Sequence, residues 1–151
     1  MTLYSVALFL HIIGAVLLFV LLTIEGVGLR QGFAAARLNR ILGPLSALTI
    51  LVPGLYMVMS EWGWIGWVVI GIAAWVLIAV AGAATGISVL AGRLNARTAA
   101  LSWSIRVGVA LAVVFIMTIK PDAVTAAIAV LVGAVIGGVA GSAGMRRLRP
   151  A

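Results

Sequence analysis

Five long runs of apolar residues, separated by shorter polar breaks, account for most of the chain. They extend from Leu3 to Ile24, Ile41 to Ser60, Trp64 to Leu90, Ala100 to Ile119 and Ala123 to Gly144. At ~1.5 Å of rise per residue, helices of these lengths cross a hydrocarbon layer of ~30 Å, the third with length to spare for tilt. The expected fold is all-α: a single polytopic bundle of five transmembrane helices over residues 1–151. Pro44 falls in the first turn of the second run, where a proline is tolerated. The breaks carry their own signals. Glu61 to Gly63 is a very short turn, Gly92-Arg93-Leu94-Asn95-Ala96-Arg97 is a charged breaker, and Lys120-Pro121-Asp122 predicts a tight hairpin. The first run is expected to be retained, because no Lys or Arg precedes it and it exceeds the 7–15 residues of a signal-peptide core.

The basic residues divide by face. Arg30, Arg37 and Arg40 follow the first run, Arg93 and Arg97 follow the third, and Arg146, Arg147 and Arg149 follow the fifth. The intervening connections hold only Glu61 in one case and Lys120 with Asp122 in the other. By the positive-inside rule this alternation predicts an outside N-terminus and a cytoplasmic C-terminus. Trp62, Trp64 and Trp67 then cluster at the outer interface, with Tyr4 at the same level. The Ala36–Arg40 and Gly92–Arg97 stretches are loosely alike, which admits a duplicated helical hairpin as well as simple convergence of arginine-rich loops.

Composition sharpens the picture. The chain of 151 residues is 65% hydrophobic, with 18 glycines besides, and only 9% is charged, against the usual ~25%. A water-soluble globule is excluded, because so few polar groups cannot coat its surface. The formal net charge of +7 reads as a cytoplasmic collar facing anionic lipid heads, and no nucleic-acid function is inferred from it. Absence of cysteine excludes disulfides, thiolate metal sites, iron–sulfur clusters and thiol catalysis. With three acids and one histidine, and no phosphate-loop, zinc-protease or serine-hydrolase string, an enzyme is not expected and no catalytic residue is identified.

Three sets of residues remain as candidates. His11, the sole histidine, stands roughly 12 Å into the first span, level with Pro53-Gly54 in the second. Pro53 lacks an N–H, so it frees the carbonyl of Thr49 and kinks its helix. One reading has His11 bond such a carbonyl and lock two helices. The other makes it a ligand, with Met117 as a thioether partner for copper(I), or with haem iron. Met57 and Met59 lie about 200° apart on one helix, so at most one of them faces His11.

Glu25 and Arg106 form the second set, at compatible depths from the cytoplasmic side. They are expected to pair, or Glu25 to meet Arg30 instead. Together with His11 they open a reading as a proton or small-solute transporter, with only Thr23 as a polar side chain between His11 and Glu25 on that face. The third set is the ridge Gly133, Gly137 and Gly141 of the fifth span, with Gly82 and Gly86 as a matching groove in the third. Small residues every four positions let helices approach closely, so the fifth span either closes the bundle or mediates a homodimer or docking onto a larger membrane complex.

The strings Phe9-Leu10-His11-Ile12-Ile13-Gly14-Ala15 and Phe115-Ile116-Met117-Thr118-Ile119-Lys120-Pro121-Asp122 resemble a family of uncharacterised bacterial integral membrane proteins, distantly similar to copper-resistance-protein-D-like membrane domains. The resemblance implies a small helical protein of the bacterial inner membrane with no assigned activity, and carries over one position, His11. The expected function is that of a non-enzymatic accessory, scaffold or binding protein. Transport, and copper or haem binding at His11, are the alternatives.

Overall fold

A computed structural model describes residues 2–31 and 36–146. The described residues form five α-helices, with no strand among them: α1 (Leu3–Gln31), α2 (Ala36–Met57), α3 (Gly66–Leu90), α4 (Ala96–Ile119) and α5 (Ala123–Arg146). All five are long and apolar enough to cross a membrane. A π-helical turn, Val58–Trp62, continues α2 without a break. By their contacts the helices fall into two compact units, Met1–Ile65 and Gly66–Ala151.

Helix ends differ from the apolar runs where polar residues are themselves good helix formers. α2 begins at Ala36, five residues before the expected start, so Pro44 lies inside the helix and not in its first turn. Hydropathy marks where a helix meets lipid, whereas Arg, Leu and Asn before Ile41 continue the backbone ladder regardless. α4 likewise begins at Ala96 and not at Ala100, because Asn95 caps it: its Oδ1 accepts from the Thr98 N–H at 2.9 Å and from the Thr98 hydroxyl at 3.0 Å. The connection before it is built by Gly92, whose φ of 64° lets the N–H groups of Gly92 and Arg93 return to the carbonyls of Val89 and Ser88. At the other end of α4, Lys120 takes the left-handed conformation (φ 52°) and Asp122 starts α5. The Asp122 carboxylate accepts from the N–H groups of Val124 and Thr125 and from the Thr125 hydroxyl at 2.6 Å. These bonds, that of the Thr125 hydroxyl foremost, hold its carboxyl below the ordinary carboxylate range.

In the first unit α1 and α2 form an antiparallel hairpin. The two helices come close at Gly14, where an added Cβ would stand 2.8 Å from the backbone at Thr49 and Ile50. The expected short turn from Glu61 to Gly63 is instead the last part of the π-helical turn. The Gly63 N–H reaches back to the Val58 carbonyl at 2.6 Å, and a φ of 65° at Gly63 ends the helix. This wide turn presents the Trp62 indole N–H to the Tyr4 hydroxyl at 3.1 Å.

In the second unit α4 packs against both α3 and α5. Its buried residues Ala99, Ser104, Gly108, Val109, Ala112 and Ile116 share the core with Trp67, Val68, Ala74 and Ile78 of α3. Small side chains at Ser104, Gly108 and Ala112 let α5 approach α4 closely.

Candidate functional site

His11 is half-buried and faces α2 within the first unit. Its Nδ1 donates to the Ile50 carbonyl at 2.8 Å, one residue beyond the Thr49 carbonyl that Pro53 releases. The ring lies against Gly54: a Cβ there would stand 3.1 Å from Nδ1 and 3.2 Å from Cε1. Glycine at 54 therefore makes room for the imidazole. A turn away, the buried Ser46 donates to the Gly14 carbonyl at 3.1 Å. His11 and Ser46 thus bind the same two helices in opposite senses, each side chain reaching the other helix's backbone. With Nδ1 carrying the proton, the imidazole is left with the Nε2 lone pair as its remaining function.

Other residues of this unit take simpler positions. Met57 is buried and Met59 is 81% exposed, as two-residue spacing demands. The Thr23 hydroxyl returns to the Phe19 carbonyl of its own helix at 2.8 Å, which satisfies it locally. Glu25 is half-buried and makes interactions of its own. The Arg30 side chain, its alternative partner, lies outside the described residues.

Arg106 belongs to the second unit and is 5% exposed, a cation inside a span-length helix. Its Nη1 lies 3.2 Å from the position a Cβ on Gly82 would take, so the guanidinium rests across α3 where that helix has no side chain. One turn along the same seam the Thr85 and Ser102 hydroxyls bond at 2.7 Å. Gly86 faces open space. The groove expected of Gly82 and Gly86 is therefore a seat for one side chain and not a track for a helix. Met117 packs on α3 too, with Cε 2.6 Å from where Gly71 would carry a Cβ.

The ridge Gly133, Gly137 and Gly141 lies against α4 inside the chain. A Cβ on Gly133 would meet the Ala112 methyl at 2.9 Å, one on Gly137 would strike the Ser104 carbonyl, and one on Gly141 would stand 2.8 Å from the Ser104 Cβ. The buried Ser104 hydroxyl donates to the Gly137 carbonyl at 2.6 Å. The complementary ridge is Ser104, Gly108 and Ala112, spaced every four residues in α4. That spacing is visible in the sequence, and reading it beside the α5 glycines pairs the two helices.

Among the described residues no group of three or more His, Cys, Asp or Glu side chains is placed to hold a metal ion. No family model, curated protein or solved structure matches the chain.

Proposed function

We propose that this chain is a multi-span protein of a bacterial inner membrane, N-terminus outside and C-terminus cytoplasmic, that acts by holding partners and not by catalysing a reaction. It is read as an accessory or scaffold protein that associates with itself or with a larger membrane complex. The observation that carries this reading is the use of the polar side chains within spans. His11, Ser46 and Ser104 each donate to the backbone of a neighbouring helix, and Thr85 bonds Ser102 across a helix pair. Such bonds fasten helices, at ~0.6 and up to ~1.7 kcal/mol each. A frame fastened in this way suits a protein whose task is to present a fixed surface. The test is chemical cross-linking in native membranes followed by purification. Recovery of discrete oligomers or a constant partner set is the expected result, and isolated monomers alone would overturn the reading.

A second reading, ligation of copper or haem by His11, is favoured by one feature. An imidazole whose Nδ1–H is held by a backbone carbonyl has its tautomer and ring plane fixed with Nε2 as the donor atom, the arrangement common among metal-bound histidines. Haem iron or copper would then be held at Nε2, with a further ligand drawn from outside this hairpin. Purified protein should show a Soret band or stoichiometric copper that His11→Ala abolishes. Neither signal in protein prepared from metal- and haem-replete cells overturns this reading and leaves the first intact.

A further inference from the structure

The seam that joins α4 to α5 leaves an open groove of ≈ 410 Å³ along one side of the pair. It is lined by Gly108, Ala112 and Phe115 of α4 and by Ile128, Ala129 and Gly133 of α5. Gly108 and Gly133, where the two backbones meet, carry no side chain to fill it. Its lining is apolar throughout, apart from Thr125 at one end.

The dimensions of the valley match one leaflet of a bilayer. From Gly108 to the helix end at Ile119 the rise is roughly 17 Å. That is about half of a ~30 Å hydrocarbon layer. At the Thr125 end of the groove the chain turns through Lys120, which is exposed on the left-handed turn between the two helices. Lys120 therefore stands at the level where headgroups lie, above a slot that runs to the midplane, while the Asp122 carboxylate of the same turn is taken up by the N–H groups of Val124 and Thr125 and the Thr125 hydroxyl. We propose that this groove holds one acyl chain of an anionic phospholipid, with the phosphate at the Lys120 turn. The inference rests on the membrane-spanning reading above.

The test uses phosphatidylglycerol carrying a diazirine midway along one acyl chain, as a small fraction of phosphatidylcholine vesicles containing the full-length protein. After irradiation the adducts are mapped by mass spectrometry. Val132 and Ile136 line the groove and are 49% and 62% exposed, whereas Leu131, roughly 100–140° round α5 from them, is 65% exposed. Random lipid contact therefore marks Leu131 at least as heavily, and a bound chain marks Val132 and Ile136 in excess. Ala129→Leu should remove that excess without changing the labelling of Leu131. Lys120→Gln, a change at an exposed position, should lower groove labelling by about fivefold relative to a phosphatidylcholine probe of the same design. Equal labelling of the two faces would overturn the groove proposal alone. So would a disulfide joining two Val132→Cys chains in high yield, which would show a second copy in the valley. Absence of adducts on every helix would overturn the membrane-spanning reading as well.

Discussion

Among the described glycines the closest approach to a neighbouring helix is that of Gly108 to Gly133, and it makes Gly108→Ala the most informative substitution. An alanine Cβ at 108 would fall on the Gly133 carbonyl, and the Gly137 Cα lies 3.2 Å away. Both obstacles are backbone, so neither yields by rotating a side chain, and α5 as a whole must retreat. Overpacking of this kind costs about 1–3 kcal/mol. Retreat also stretches the 2.6 Å bond from Ser104 to Gly137, at a further ~0.6 kcal/mol and at most ~1.7. Against this, replacing glycine by alanine inside a helix returns about 1 kcal/mol. The net expectation is a loss of about 1–3 kcal/mol. Gly86→Ala is the matched control: nothing lies within 4 Å of its Cβ position, so only the helix-propensity gain of up to about 1 kcal/mol remains. The assay is reversible unfolding in bicelles by added sodium dodecyl sulfate, followed by far-ultraviolet circular dichroism. The two variants should move in opposite directions. A Gly108→Ala protein as stable as the parent, with Ser104→Ala also without effect, would refute the contact between the two ridges.

Three further outcomes follow from other residues. His11→Phe keeps a ring against Gly54 but removes the bond to the Ile50 carbonyl, so it should lower stability in the same assay by ~0.6 and at most ~1.7 kcal/mol, while Gly54→Leu, which displaces the ring, should cost more. Asp122 has a carboxyl held below its ordinary value in the folded state, so its cap contributes stability that is present above the unfolded value and is lost as pH falls through the lowered one. In a nuclear magnetic resonance titration the Val124 and Thr125 amide signals should therefore move with a midpoint below that of a free aspartate, and a midpoint at or above it would contradict the capping geometry. Since the chain has no cysteine, single cysteines replacing Thr2 or Arg93 report sidedness directly. Impermeant maleimide on intact cells should label the first and spare the second until the membrane is opened, and the reverse pattern would overturn the proposed orientation.

Much of the helical layout was legible because lipid imposes a simple demand: a run of about twenty apolar residues either spans or is hard to place. The ends were less legible, since Ala36–Arg40 and Asn95–Ala100 are helical for reasons of capping and propensity to which hydropathy is blind. At His11 one reading of the sequence was a bond to a carbonyl freed by Pro53, that of Thr49, whereas the bond goes to Ile50, one residue on. Gly133, Gly137 and Gly141 announced a close approach, but a ridge on one helix does not name its partner. That required the spacing of Ser104, Gly108 and Ala112. Ser46 gave no signal at all, for a lone serine in an apolar run reads the same whether it crosses to a neighbour or returns to its own turn.

The wide turn at Val58–Trp62 holds the length of the chain in a particular register. A π turn accommodates roughly one residue more than an α turn would. Removing any one residue between Val58 and Glu61 would let the coil tighten and carry the Trp62 indole about 100° round the axis. It would then point away from the Tyr4 hydroxyl that receives it at 3.1 Å. A deletion there should therefore cost the bond between Trp62 and Tyr4, the same bond that Tyr4→Phe removes without changing the length of the chain.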